Sequence, residues 1–156
     1  MTTNDKLRRL RYALDLSDRE TVRLFGLADY ALEPAELAAL FAKDDDPNFD
    51  PCPDAIARLF LKGLIISRRG RRDQAESGQT PPGFLFNNEI LKAIRVALEL
   101  RDDEIVAAMA AAGAEISKSQ LAALFRKPGH ANYRPCGDQF LRNFLMGLTI
   151  QRRGKK

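Results

Sequence analysis

No stretch of this chain approaches the roughly 18 consecutive apolar residues that a bilayer-spanning helix needs, and the opening MTTNDKLRRL has no apolar run behind its basic residues. The expected setting is therefore cytoplasmic, with no membrane partner. Cysteine is scarce: Cys52 and Cys136 are too few for a secreted disulfide framework, and no CxxC or Cys/His cluster is present to hold zinc. A strong charge of one sign is also missing, because 25 Lys and Arg stand against 21 Asp and Glu for a net of +4. That balance falls short of a polybasic protein and names no partner by itself. There is no glycine-rich phosphate loop, no GxSxG elbow and no pair of catalytic carboxylates, so a non-enzymatic protein without a cofactor is expected. Alternating strand patterns are absent throughout, which leaves an all-α class.

The chain does have a duplication. FLKGLIISRRG at residues 60–70 returns as FLMGLTIQRRG at residues 144–154, and residues 4–70 lie over residues 88–154 without a gap. Leu7, Leu14 and Val22 repeat as Leu91, Leu98 and Val106, while Leu37, Leu40 and Phe41 repeat as Leu121, Leu124 and Phe125. Such spacings mark buried helical faces. With 156 residues and 45% apolar content the chain can build a real core. The expected architecture is a tandem duplication of a small four-helix domain. Residues 1–70 and 88–156 form the copies, and residues 71–87 form a linker that includes the polar RRDQAESGQTPPGF.

Cap signals divide each copy. Asn4 and Asn88 are expected as N-caps of the first helix. Ser17 with Glu20 makes a capping box for the second, where the other copy has Arg101 and relies on Asp102, Asp103 and Glu104 against the helix dipole. Pro34 suits the first turn of the third helix, and Ser117 with Gln120 makes a box at the equivalent place. The final helices are expected over about residues 54–69 and 138–153. Gly63 and Gly147 lie inside them, where glycine is costly unless another helix approaches closely.

The RRG ends carry two readings. Arg68 and Arg69, like Arg152 and Arg153, fall in a last helical turn, where cations complement the dipole and Gly70 tolerates positive φ. This punctuation reading needs no ligand. A phosphate-binding reading is kept because Arg71, Arg72, Lys155 and Lys156 extend the clusters beyond what caps require.

Other motifs are weaker. DDDPNFD spaces Asp44, Asp46, Asn48 and Asp50 like the first half of an EF-hand loop, but Phe49 and Ala55 stand where glycine and glutamate are needed. A solvated acidic loop is expected, with no metal. His130 and Cys136 suggest a thiol and its base, yet Cys52 keeps its position while Asp46 replaces the histidine. Both thiols are read as buried small hydrophobes, with a lowered pKa near a helix N-terminus as the alternative. On the first helix Leu7, Leu10 and Leu14 are expected to face inward and Lys6, Arg8 and Arg11 to face solvent, with phosphate contact as the alternative.

EIVAAMAAAGAEISKSQLAALFRKPGH resembles a helix-turn-helix with a long turn. Lys118, Gln120, Arg126 and Lys127 would reach bases or phosphates of DNA or RNA, whereas Pro34, Glu36, Ala42 and Lys43 occupy those positions in the first copy. Residues 4–70 hold 11 basic and 12 acidic groups, a net of −1, and residues 88–154 hold 10 and 7, a net of +3. A nucleic acid is thus expected to bind the second copy first, using Lys118, Gln120, Arg126, Lys127, Arg152 and Arg153, with Arg68 and Arg69 as the matching end of the first. The alternatives are a protein-interaction adaptor or homodimer with no nucleic-acid role, and an enzyme or thiol sensor centred on Cys136 and His130.

HANYRPCGDQFLRNFLMGL, NDKLRRLRYAL and NNEILKAIRVAL together resemble the bacterial YehS-like family, domain of unknown function 1456, over essentially the whole chain. The resemblance implies two tandem copies of a small helical domain in a cytoplasmic protein. It carries over no catalytic residue and no ligand.

Overall fold

The structure, a computed structural model, describes residues 1–70 and 83–153. Helices account for all the regular structure among them: α1 (Thr3–Ala13), α2 (Asp18–Leu27), α3 (Pro34–Leu40), α4 (Asp54–Arg69), α5 (Asn87–Leu98), α6 (Asp102–Ala111), α7 (Lys118–Leu124) and α8 (Asp138–Arg153). The chain divides into two compact units, Met1–Leu85 and Phe86–Lys156, each with four helices in the same order. The RRDQAESGQTPPGF stretch up to residue 82, with Arg71 and Arg72, lies outside the described residues, as do Gly154, Lys155 and Lys156.

The helix ends follow local chemistry. Ser17 Oγ accepts from the Glu20 N–H while Glu20 Oε1 accepts from the Ser17 N–H, and Ser117 with Gln120 does the same at α7. At α6 only half the box exists: Glu104 Oε1 accepts from the Arg101 N–H at 2.7 Å. Pro34 opens α3 at its first turn. Gly113, with φ +82°, closes α6 in a Schellman motif, its own N–H bonding Ala110 O and the Ala114 N–H reaching back to Met109 O. Gly70 has φ +90° and its N–H bonds Ile66 O at 2.8 Å, so the first RRG does terminate its helix.

Asn4 and Asn88 are not the caps expected of them. Thr2 caps α1, its hydroxyl accepting from the Asp5 N–H, and α5 has no side-chain cap. Asn4 instead lies inside α1, 1% exposed, where its amide nitrogen donates to Leu40 O and Asp50 O and its carbonyl oxygen accepts from the Cys52 N–H. Asn88 repeats the pattern with Leu124 O, Arg134 O and the Cys136 N–H. A primary amide offers donors and an acceptor at once, which suits a buried clamp between three backbone groups better than a single cap.

In the first unit α4 lies directly against α2. A methyl group built on Gly63 would stand 1.9 Å from the Leu24 carbonyl oxygen, and one on Gly147 of α8 would stand 1.8 Å from that of Ala108 in α6. The expected close approach is therefore backbone to backbone. Phe25 and Phe60, with ring centroids 5.7 Å apart, fill the first core together with Leu7, Leu10 and Leu64. The second core holds Met109 in place of Phe25, around Phe144, Ile94, Leu121 and Leu141.

Two expectations about faces are corrected. Val22 is exposed, because the buried place on α2 belongs to Thr21, whose hydroxyl donates to Ser17 O, and on α6 to Ile105. Lys6 is buried rather than solvated, and Arg8 and Arg11 are only half-exposed because Asp5 and Asp18 hold their guanidinium groups. A small bundle leaves α1 with neighbours on more than one side, and the long basic stems cover apolar surface.

Candidate nucleic-acid interface

The loop between α7 and α8 is built by backbone hydrogen bonds before any side chain is considered. The His130 N–H donates to Lys127 O at 3.0 Å across Pro128 and Gly129, and Gly129 has φ +96°. Proline followed by a positive-φ glycine suits a type II turn. A second turn follows, with the Tyr133 N–H on His130 O at 3.0 Å, and the Asn132 N–H bonds His130 Nδ1 at 3.0 Å. The far end is pinned twice: the Arg134 N–H donates to Ala123 O of α7, and Arg134 O accepts from Asn88 of α5.

The first unit repeats two of these turns, but Asp45, at the position of Gly129, has no positive φ, and no bond from Asp50 to Ala39 matches that from Arg134 to Ala123. The Asp46 N–H bonds Lys43 O, the Phe49 N–H bonds Asp46 O, and the Asn48 N–H bonds Asp46 Oδ1. Its side chains are more acidic, although Lys43 is kept at the position of Lys127. Ala42, Asp46 and Asp50 stand where the second unit has Arg126, His130 and Arg134, and the aromatic Phe49 stands in place of Tyr133.

Two shallow depressions flank Arg126. One, of about 310 Å³, is lined by Gln120, Ala123, Arg126, Asn132, Tyr133 and Arg134. The other, of about 460 Å³, is bordered by Arg95, Phe125, Arg126, Lys127 and His130, with Asp102. The Arg95 guanidinium lies 4.6 Å from the Phe125 ring centroid and 2.9 Å from Asp102. It is already engaged and acts as a wall. Arg126, Lys127 and Arg134 are exposed, and among the described residues no carboxylate pairs with them.

Of the expected contact residues, the structure therefore brings Gln120, Arg126 and Lys127 to one surface. Lys118 is exposed at the start of α7 and lines neither depression, and Arg152 and Arg153 sit exposed at the end of α8. Gln120 arrives with its carbonyl oxygen committed to Ser117. Arg68 and Arg69 are exposed at the end of α4, where Arg68 acts on Glu20: the Ser17 N–H and hydroxyl, then this cation, hold that carboxyl below its ordinary range. Arg134, Tyr133 and Asn132 join this surface without having been expected there from sequence. A signal for them exists, since the charge reversal at positions 50 and 134 is visible once the copies are aligned.

The cysteines take no part. Cys52 and Cys136 are both free thiols and both buried. The alternative of a lowered pKa is overturned for Cys52, whose thiol is pushed up to about 12, first by burial and then by the charge of Asp54. Among the described residues no group of acidic, histidine or cysteine side chains is arranged to hold a metal, and no helix is long and apolar enough to cross a membrane.

A family model described as a protein of unknown function, DUF1456, matches residues 3–70 and again residues 87–154. The sequence is 36% identical over 156 residues, all of this chain and 99% of the other, to the Uncharacterized protein YehS of Escherichia coli (strain K12). No solved structure matches.

Proposed function

From a chain that belongs to the DUF1456 family and carries its domain twice, we propose a non-enzymatic nucleic-acid-binding protein whose contact surface is the α7–α8 loop of the second copy. The observation that carries this reading is the contrast within one molecule. Two loops with matching pairs of backbone turns present Arg126, His130 and Arg134 in one copy and Ala42, Asp46 and Asp50 in the other. A polyanion requires cations on the copy that makes contact, and of Arg126, Lys127 and Arg134 the first copy keeps only the lysine, as Lys43. Arg126, Lys127 and Arg134 supply unpaired cations on a loop whose backbone is already fixed, so little ordering is required on binding.

The test is fluorescence anisotropy of labelled nucleic acid with the full chain at low and near-physiological salt. Changing Arg126, Lys127 and Arg134 to alanine together is expected to weaken binding at least tenfold and to flatten the salt dependence, by about 0.7 in slope for each phosphate of a single strand that is no longer neutralised. A separate variant at Arg152 and Arg153 decides whether the second RRG contributes or is punctuation alone. Failure to bind any nucleic acid at low salt would overturn the proposal and favour a protein partner.

A further inference from the structure

The contact surface holds an aromatic ring as well as cations. We infer that the ligand is single-stranded, with one unpaired base lying against Tyr133 between Arg126 and Arg134; this rests on the nucleic-acid reading above. Three observations lead there.

The first is the shortness of α7. Its seven residues, Lys118–Leu124, span about 10 Å at 1.5 Å per residue, and its first turn is occupied by the Ser117 and Gln120 box. A recognition helix lies along the major groove with its first turn on the base edges, and in α7 that turn is short of free groups, the Gln120 carbonyl being held by Ser117. The duplex-reading element expected from sequence is therefore missing its length.

The second is the chemistry of the 310 Å³ depression. Tyr133 is half-buried at its wall, and among the described residues its ring pairs with no other ring. Asn132 supplies an amide that both donates and accepts, and Arg126 and Arg134 supply the charge. An aromatic platform with flanking cations and one amide is the combination that holds an unstacked base while its phosphates are neutralised.

The third is the first copy, which retains the aromatic and the amide as Phe49 and Asn48 but loses both arginines. There Glu36, at the position of Gln120, accepts a hydrogen bond from the Tyr30 hydroxyl and is consumed internally. The aromatic alone belongs to the scaffold. Its pairing with arginine at 126 and 134 belongs to the second copy.

The experiment compares a labelled single strand, RNA and DNA in turn, with a duplex of the same sequence against the full chain. The single strand is expected to bind at least tenfold more tightly. Tyr133→Phe should stay within about twofold of the parent, and Tyr133→Ala should lose about 5- to 150-fold, the range of one base stack, with an unchanged salt slope. A strand carrying 5-bromouracil should photo-crosslink to Tyr133 and not to Phe49, a readout that needs no variant. Equal or tighter duplex binding, or a crosslink that avoids Tyr133, would overturn the inference while leaving the nucleic-acid reading standing if Arg126→Ala still weakens binding. Absence of binding by every probe at low salt would overturn both.

Discussion

Asn88 serves three backbone groups from one side chain, and two of those groups belong to Leu124 and Arg134, the ends of the proposed contact loop. Asn88→Ala is expected to cost about 3 kcal/mol, near 1 kcal/mol for each bond whose partner is stranded, read as a lower urea midpoint. Asn88→Asp should cost at least as much, because it turns the donor into an acceptor facing two carbonyls. The same variants should weaken nucleic-acid binding beyond the stability loss, since the loop is no longer held. Cys52 gives a second test at this scale. Its thiol is 7% exposed and pushed up to about 12 from the ordinary 9.0, so a thiol reagent should label it only as fast as the first unit opens. The folded pKa lies above the unfolded one. The stability it contributes is therefore intact below pH 9 and is lost as pH rises toward 12. A urea midpoint that rose over that range, or rapid native labelling, would contradict the burial. These roles were hidden in the sequence because asparagine and cysteine near helix starts suit caps and activated thiols equally well. Burial decides between them, and burial depends on neighbours 48 residues away.

At the scale of the element, the contact between α2 and α4 rests on Gly63, and that between α6 and α8 on Gly147. Alanine at either position would drive a methyl group into a carbonyl oxygen, at 1.9 and 1.8 Å, and backbone cannot yield as a flexible side chain would. Gly63→Ala and Gly147→Ala are each expected to destabilise by about 3 kcal/mol. Gly26 of α2 is the control, since nothing lies within 4 Å of its added methyl and the second copy already has Ala110 there. Gly26→Ala should stabilise by about 0.5–1 kcal/mol through helix propensity. Denaturant midpoints that moved alike for Gly26 and Gly63 would refute the close approach. Helix identities, three capping motifs and this glycine contact were all readable from spacing, because they depend on residues within one or two turns. The inward place of Thr21 rather than Val22 was not readable. A threonine hydroxyl that bonds back to Ser17 O can be buried without penalty, and apolar periodicity cannot report that.

Across the whole molecule, the duplication was plain in the sequence and the proposed contact surface only partly so. The charge difference between copies pointed to the second, but to Lys118, Gln120 and the RRG ends as much as to Arg126 and Lys127. Only folding brings Tyr133 and Arg134 beside Arg126, through turns whose hydrogen bonds the side chains do not reveal. Transplanting the charges tests this directly. Exchanging Ala42, Asp46 and Asp50 for arginine, histidine and arginine should add a second site of similar salt dependence, seen as a doubled stoichiometry by titration, because the receiving loop repeats two of the turns and keeps Lys43. A gain in non-specific affinity without a defined stoichiometry would refute equivalence of the two loops.

The asparagine clamp also bears on how the chain is made. Asn4 finds its last partner at Cys52, and Asn88 finds its own at Cys136, each 48 residues downstream. During synthesis the Asn4 amide therefore stays hydrated until Cys52 has emerged, and the first unit closes once α4 can pack on α2. The second unit repeats the wait after the first is complete. Translation of this protein should proceed through two separate folding steps, each completed when the last helix of its unit, α4 or α8, has cleared the exit tunnel.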